Sequence, residues 1–360
     1  MTLPVGTPAP WFQAASPSNP RFSFASLGGV YVVLAFLPPP GPERAAALKA
    51  VADYKDLFRD GRCVFFGVLP DAESCAQAVT APPLRWFFDP DGELARLYKV
   101  YGPDGAYEPQ WIAIDPMMRV LGSAPIERSA NVLGTMASLG LAEDHAGVPV
   151  HAPVLIVPRV LEPDLCRRLI DLYNETGGAP SGVMRQVDGK TVPMLDDFKR
   201  RRDATIADEG LRSIIRARIV QRLLPEIKKA FQFEATRIER YIVACYDASD
   251  GGYFKAHRDN TTTATAHRRF AVSINLNAEE FEGGDLRFPE FGTKTYRPPT
   301  GGAVVFSCSL LHEATPVTKG TRYATLPFLF DEAAEEIRAA NAHTLVQSTP
   351  EEAAAAASAG

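Results

Sequence analysis

His257 and Asp259 stand one residue apart in YDASDGGYFKAHRDN (246–260), and His312 and Arg322 follow in VVFSCSLLHEATPVTKGTRYATLPF (304–328). Two imidazoles and one carboxylate form the donor set that holds Fe(II) on one face and leaves its other positions open. Zinc or manganese could use the same donors. An arginine ten residues after the second histidine adds a planar guanidinium fork suited to a carboxylate. The chain has only six histidines, so two at this spacing, beside Asp259 and ahead of Arg322, form a specific combination.

These side chains need strands to position them. On an extended strand residues i and i+2 share a face, so His257 and Asp259 are expected to reach one metal. His312 follows the apolar run GAVVFSC (302–308) and is expected near a strand end. APVLIVPRVLEPDLCRRLIDLYNET (152–176) reads as strand, turn and helix, with Pro163 in the first turn. GLRSIIRARIVQRLLPEIKKAF (210–231) reads as one long amphipathic helix. RFAVSINLN (269–277) alternates, with Phe270, Val272, Ile274 and Leu276 on one face. EGGDLRF (282–288), GAVVFSC and RYATLPFLF (322–330) follow at hairpin distances. Helices first and short strands afterwards predict a jelly-roll barrel with supporting helices.

On these motifs, residues 150–332 resemble the Fe(II)/2-oxoglutarate-dependent dioxygenases of the prolyl 4-hydroxylase-like group, whose barrel is a double-stranded β-helix. The resemblance implies that His257, Asp259 and His312 bind iron and that Arg322 pairs with the distal carboxylate of 2-oxoglutarate. It places Tyr246 near that co-substrate. Asn275 stands where such enzymes carry a tyrosine that contacts 2-oxoglutarate, and Thr325 or a water is a candidate replacement. The implied reaction hydroxylates an aliphatic C–H with dioxygen, releasing succinate and CO2, with ascorbate a candidate auxiliary. The substrate would be a protein residue of prolyl type or a small molecule. Related halogenases have Gly or Ala at the Asp259 position, so a carboxylate there argues for hydroxylation. The competing reading is a non-catalytic metal- or ligand-sensing scaffold.

The first part alternates strand-like and helix-like runs: VYVVLAFL (30–37), PERAAALKAVADYKDLFRDG (42–61), CVFFGVLP (63–70), ESCAQAVTA (73–81), RWFFD (85–89) and QWIAID (110–115). This order predicts an α/β unit with a central sheet covered by helices. With VGTPAPWF (5–12) and FFDPDGELARLYKVYG (87–102), residues 1–145 resemble a thioredoxin-fold redoxin of the peroxiredoxin type. That family's peroxidatic cysteine lies in a loop after the first long strand, activated at a helix N-terminus. Here the loop reads FLPPPGPERAA (36–46), without cysteine, and the expected later arginine is missing from EPQW (108–111). Cys63 and Cys75 read as packing or surface thiols. The expectation is a redoxin scaffold without peroxidase chemistry, a candidate for homodimerisation.

Composition sets the remaining bounds. Of 360 residues, 46% are hydrophobic and 22% charged, and the net charge of −5 argues against a nucleic-acid partner. No secretory signal is visible, and the longest apolar run is too short for a membrane span of roughly 20 residues. Five scattered cysteines without C-x-x-C spacing suit a reducing, cytoplasmic setting. The basic run KRRRD (199–203) reads as a solvated turn or helix start, with a rim that attracts an acidic substrate as the alternative, and SGVMRQVDGKTVPMLDDFKRRRD (181–203) as a long lid-like loop that selects substrate. His267, Arg268 and Arg269 read as a solvated strand end, and Lys255 and Arg258 as pointing away from the ligands. Glu282 to Asp285 reads as a hairpin turn. Residues 333–360 read as a helix followed by a low-complexity tail.

Overall fold

A computed structural model describes residues 3–59 and 61–346. The tail from 347 onward lies outside the described residues. The chain forms two compact units, Met1–Ala152 with Pro289–Thr293, and Pro153–Phe288 with Lys294–Gly360.

The first unit is built on a five-stranded sheet in the order Trp86–Phe88, Cys63–Leu69, Tyr31–Phe36, Gln110–Ile114, Val120–Pro125. The first three strands are parallel and the last two antiparallel. Tyr31–Phe36 is apolar throughout because both of its faces are covered. Val32, Leu34 and Phe36 pack into one core, and Tyr31, Val33 and Ala35 into the other. The helix Pro42–Asp53 starts with proline in its first turn, where a missing N–H costs nothing.

The second unit has two sheets that face each other across a cavity. The larger runs Arg237–Glu239, Phe328–Phe330, Phe270–Asn275, Thr321–Thr325, Ile242–Asp247, Arg202–Thr205, Ala179–Pro180, and Ala303–Ser307 also pairs with Phe270–Asn275. The smaller runs Lys199–Arg200, Tyr253–His257, His312–Ala314, Leu286–Arg287, Thr295–Tyr296. Strand parity sorts the large sheet. Val243, Cys245, Val272 and Ile274 pack toward the helices, whereas Ala244, Tyr246, Ala271 and Ser273 turn inward.

Helices Pro163–Thr176 and Glu209–Arg222 cover the outer face. The second buries Leu211, Ile215 and Ile219, one residue per turn. It is capped by the Asp208 side chain, which accepts from the Leu211 backbone N–H. The single helix expected over 210–231 is two, Glu209–Arg222 and Leu224–Phe231, because Pro225 opens a new first turn.

Other expectations need correction. The supposed loop 181–203 is ordered as the hairpin Val183–Val187 with Lys190–Met194, followed by the strands Lys199–Arg200 and Arg202–Thr205. The run KRRRD is therefore extended rather than a turn, and its alternate side chains bury Lys199 and Arg201 while Arg200 and Arg202 face solvent. His267 is buried, and Nε2 of its ring lies 2.6 Å from Glu239 Oε2. Arg268 donates to Glu239 Oε1 at 2.6 Å, so neither is a solvated strand end. Arg258 is buried and donates to the Ser309 carbonyl, and neither it nor Lys255 lines the cavity, in keeping with side chains that point away from the ligand cluster. In the Glu282 to Asp285 segment Gly283 and Gly284 have φ of +71° and +66°, as a turn there requires, and Glu282–Gly283 also pairs with Val317–Lys319.

Candidate metal centre and co-substrate cavity

The smaller sheet brings the two histidines together. Tyr253–His257 and His312–Ala314 are antiparallel neighbours, with His257 directly opposite His312. Residues paired in this way carry side chains a few ångströms apart on one face. Asp259 is not on the strand, as sequence spacing suggested, but in the turn that follows it. Its backbone N–H donates to the Cys308 carbonyl at 2.9 Å, which ties that turn to the end of Ala303–Ser307.

One ligand atom from each of His257, Asp259 and His312 lies within 4.8 Å of the others. Asp259 Oδ1 is 3.6 Å from His257 Nε2, and its Oδ2 is 3.3 Å from His312 Nε2. The outer ring nitrogens are engaged elsewhere: His257 Nδ1 donates to the Lys255 carbonyl at 2.7 Å and His312 Nδ1 to the Leu310 carbonyl at 3.0 Å. Those bonds select the tautomer whose Nε2 lone pair faces inward. Phe254 stacks on His257 at a centroid distance of 3.5 Å, and Phe306 lies 4.5 Å from His312.

Charge states suit a metal. Burial and the neighbouring His257 push His312 down to about 4, so its imidazole is neutral at pH 7. Burial alone would raise Asp259, but His312, His257 and Arg268 outweigh it and hold the carboxyl far below its ordinary range. A neutral His312 imidazole and an ionised Asp259 carboxylate, with the His257 ring beside them, are donors that fit Fe(II).

Arg322 projects from the larger sheet into the same cavity, fully buried. Its Nη1 donates to the Gly284 carbonyl at 2.7 Å and its Nη2 to Ser273 Oγ at 2.9 Å. Nε has no acceptor. Among the described residues no carboxylate lies within ion-pair distance of this guanidinium, so donor capacity remains for an incoming anion. Tyr246 lies beneath it, with the Arg322 Cζ 5.1 Å from the ring centroid.

Thr325 does not line the cavity. On Thr321–Thr325 the inward residues are Arg322 and Ala324, so Thr325 shares the outward face with Tyr323, which packs on the helix-side core. Asn275 is also outside the cavity wall. Its amide donates to the Pro298 carbonyl at 2.9 Å, while its Oδ1 is buried without a partner. Neither side chain is among the residues that line the cavity.

Two cavity residues were missed from sequence. Arg201 donates to Asp203 Oδ2 at 2.6 Å and, more weakly, to the Tyr246 hydroxyl at 3.4 Å. Arg240 donates from Nε and Nη2 to the Leu326 carbonyl and lies 4.5 Å from the centroid of Phe328. Phe254, Leu286, Phe306, Ala314, Leu326 and Phe328 supply the apolar wall.

In the first unit, no thiol stands in the FLPPPGPERAA segment. Arg44 there donates to the Pro38 carbonyl, Ser74 and Asp71 instead. Cys63 is fully buried, and burial raises the Cys75 thiol above its ordinary value, the reverse of nucleophile activation.

Residues 241–330 match the 2OG-Fe(II) oxygenase superfamily, and residues 5–122 match the AhpC/TSA family. Relatives include a PKHD-type hydroxylase of Synechococcus sp. (strain JA-2-3B'a(2-13)), 28% identical over 98 residues, covering 26% of this chain and 43% of that protein. The chain therefore spans less than half of that relative's length. A PKHD-type hydroxylase of Pseudomonas fluorescens (strain Pf0-1) is 25% identical over 181 residues, covering 48% of this chain and 76% of that protein. Among solved structures, a Pseudomonas putida prolyl-4-hydroxylase aligns with a TM-score of 0.39 at 18% identity, over 53% of this chain and 96% of its own. Mycobacterium tuberculosis AhpC aligns with a TM-score of 0.32 at 16% identity, over 38% and 95%.

Proposed function

We propose that this chain, which carries a C-terminal 2OG-Fe(II) oxygenase domain and an N-terminal AhpC/TSA redoxin domain, is an Fe(II)- and 2-oxoglutarate-dependent hydroxylase. The observation that carries the reading is the placement of His257, Asp259 and His312 within ligand reach of one another in the cavity that also receives Arg322.

His257 Nε2, His312 Nε2 and an Asp259 oxygen would hold the iron. Bound there, iron supplies the activation of dioxygen that is coupled to oxidative decarboxylation of 2-oxoglutarate to succinate and CO2, with one oxygen atom going to a substrate C–H. The chain's own contribution is geometric and electrostatic. The Lys255 and Leu310 carbonyls fix the imidazole orientation. Arg322, charged and partnered only by Gly284 and Ser273, would take the distal carboxylate of 2-oxoglutarate, and Tyr246 would flank it. Phe254, Leu286, Phe306 and Phe328 keep bulk water from the reacting atoms. Asp259 occupies the carboxylate position of the triad, which favours hydroxylation over halogenation.

The substrate is an aliphatic C–H of a protein residue or a small molecule. Ascorbate would act as an auxiliary reductant. The redoxin unit, lacking an activated thiol, would serve as a scaffold or dimerisation module, in keeping with a cytoplasmic protein. No helix among the described residues is long and apolar enough to cross a membrane.

Incubation of lysate with the enzyme, Fe(II), 2-oxoglutarate and oxygen-18-labelled dioxygen tests this reading. Labelled succinate, with label also in a hydroxylated product, is expected. No enzyme-dependent succinate would leave the non-catalytic scaffold as the better account.

A further inference from the structure

The cavity holds more positive charge than iron and 2-oxoglutarate use. Arg201, Arg240 and Arg322 all line it. Arg201 is matched by Asp203 at 2.6 Å. Glu239, the other carboxylate nearby, is taken by His267 and Arg268, each at 2.6 Å. Ferrous iron and Asp259 together carry one positive charge. Adding the 2-oxoglutarate dianion and Arg322 brings that group to neutrality. Arg240 is left over.

Its guanidinium has no acidic partner within ion-pair distance among the described residues. Nε and Nη2 share the Leu326 carbonyl, at 3.1 and 2.8 Å. Phe328 packs against its face at 4.5 Å, which orients the plane and leaves the Nη1 edge uncommitted. Burial, with Arg201 and Arg268 nearby, lowers Arg240 to about 10, while the Asp203 and Asp259 carboxylates act in the other direction. A partly desolvated cation without a counter-ion is costly, and an anionic ligand removes that cost.

We infer that the primary substrate carries an oxyanion, a carboxylate or a phosphate, which docks on Arg240 inside the cavity while 2-oxoglutarate occupies Arg322. The inference rests on the proposed hydroxylase reading. It narrows the substrate to an anionic molecule or an acidic residue and assigns Arg240 as the group that orients it. A planar guanidinium edge favours the carboxylate.

The test is calorimetric titration of the full chain, saturated with Mn(II) and 2-oxoglutarate under anaerobic conditions, with acetate and separately with inorganic phosphate at constant ionic strength. Saturable binding of at least one probe is expected, and the arm that binds tells carboxylate from phosphate. Arg240→Gln should weaken that binding about ten-fold or more, the scale of a lost charge-assisted contact, and Arg240→Lys should restore part of it. The 2-oxoglutarate affinity of both variants should stay within about two-fold of the parent, which also reports folding. Failure of both probes to bind the parent, or equal binding by Arg240→Gln, overturns the inference. A comparable loss of 2-oxoglutarate affinity in Arg240→Lys also overturns it, by assigning Arg240 to the co-substrate. Failure of the parent to bind 2-oxoglutarate at all instead overturns the hydroxylase reading.

Discussion

Arg322 has two fixed partners and one idle nitrogen, an arrangement that holds a guanidinium still without neutralising it. Replacing it with leucine should raise the Kd for 2-oxoglutarate on the order of ten- to a hundred-fold, the cost of roughly 1.5–3 kcal/mol for a charged hydrogen bond. Metal affinity should change far less, since the three ligands are untouched; parallel titrations with Mn(II) and 2-oxoglutarate separate the two. Asp203 makes a prediction about pH. Burial works against its ionised form, but Arg201 and Lys199 prevail and hold it down to about 2 from an ordinary 3.8. A depressed carboxyl stabilises the fold above its unfolded pKa and loses that contribution as pH falls through the folded one. Asp203→Asn should therefore destabilise the chain by about 2 kcal/mol at pH 7. Thermal melts of the two proteins should converge between about pH 4 and pH 2.

Elements decide which residues reach the cavity, and here the sequence was only partly legible. The His257, Asp259, His312 and Arg322 set could be found because iron ligands and a carboxylate clamp need particular residue types at strand-compatible spacing. Lys199 and Arg201 could not. In KRRRD four consecutive basic side chains hide the in–out alternation, and only pairing of Lys199–Arg200 with Tyr253–His257 shows which ones point inward. Thr325 was misjudged because its parity on Thr321–Thr325 is opposite to that of Arg322. Gly284 shows how tightly neighbouring elements are fitted. It has a φ of +66°, and a Cβ there would stand 2.8 Å from Val317 Cγ2 and 3.3 Å from Arg322 Cδ. Gly284→Ala should cost about 1–3 kcal/mol in strain. It should also weaken 2-oxoglutarate binding, because the Gly284 carbonyl is one of the two anchors of Arg322. Unchanged affinity in a folded Gly284→Ala protein would remove that anchoring role.

For the whole molecule, the two units differ in what they retain. The redoxin unit keeps its sheet and both hydrophobic cores but has no activated thiol. The oxygenase unit keeps the His257, Asp259 and His312 cluster, the carbonyls that orient its imidazoles, and a buried Arg322 in the same cavity. This asymmetry was visible in the sequence, because loss of a single nucleophile is read from one short segment. The extra cavity charge was not, because it depends on which buried arginines find carboxylates in three dimensions. The chain should consume hydrogen peroxide no faster than a free thiol, and Cys63→Ser and Cys75→Ser should leave that rate unchanged in a stopped-flow assay. Rapid, cysteine-dependent turnover would restore a peroxidase role to the first unit.

The most direct test of the central claim is an anaerobic titration of the full chain with Fe(II) and 2-oxoglutarate, followed by visible absorption. The account predicts a weak, saturable metal-to-ligand charge-transfer band that requires both components and is lost in His257→Ala and His312→Ala. A folded parent protein that gives no band, or variants that keep it, would contradict an iron and 2-oxoglutarate site built on these residues.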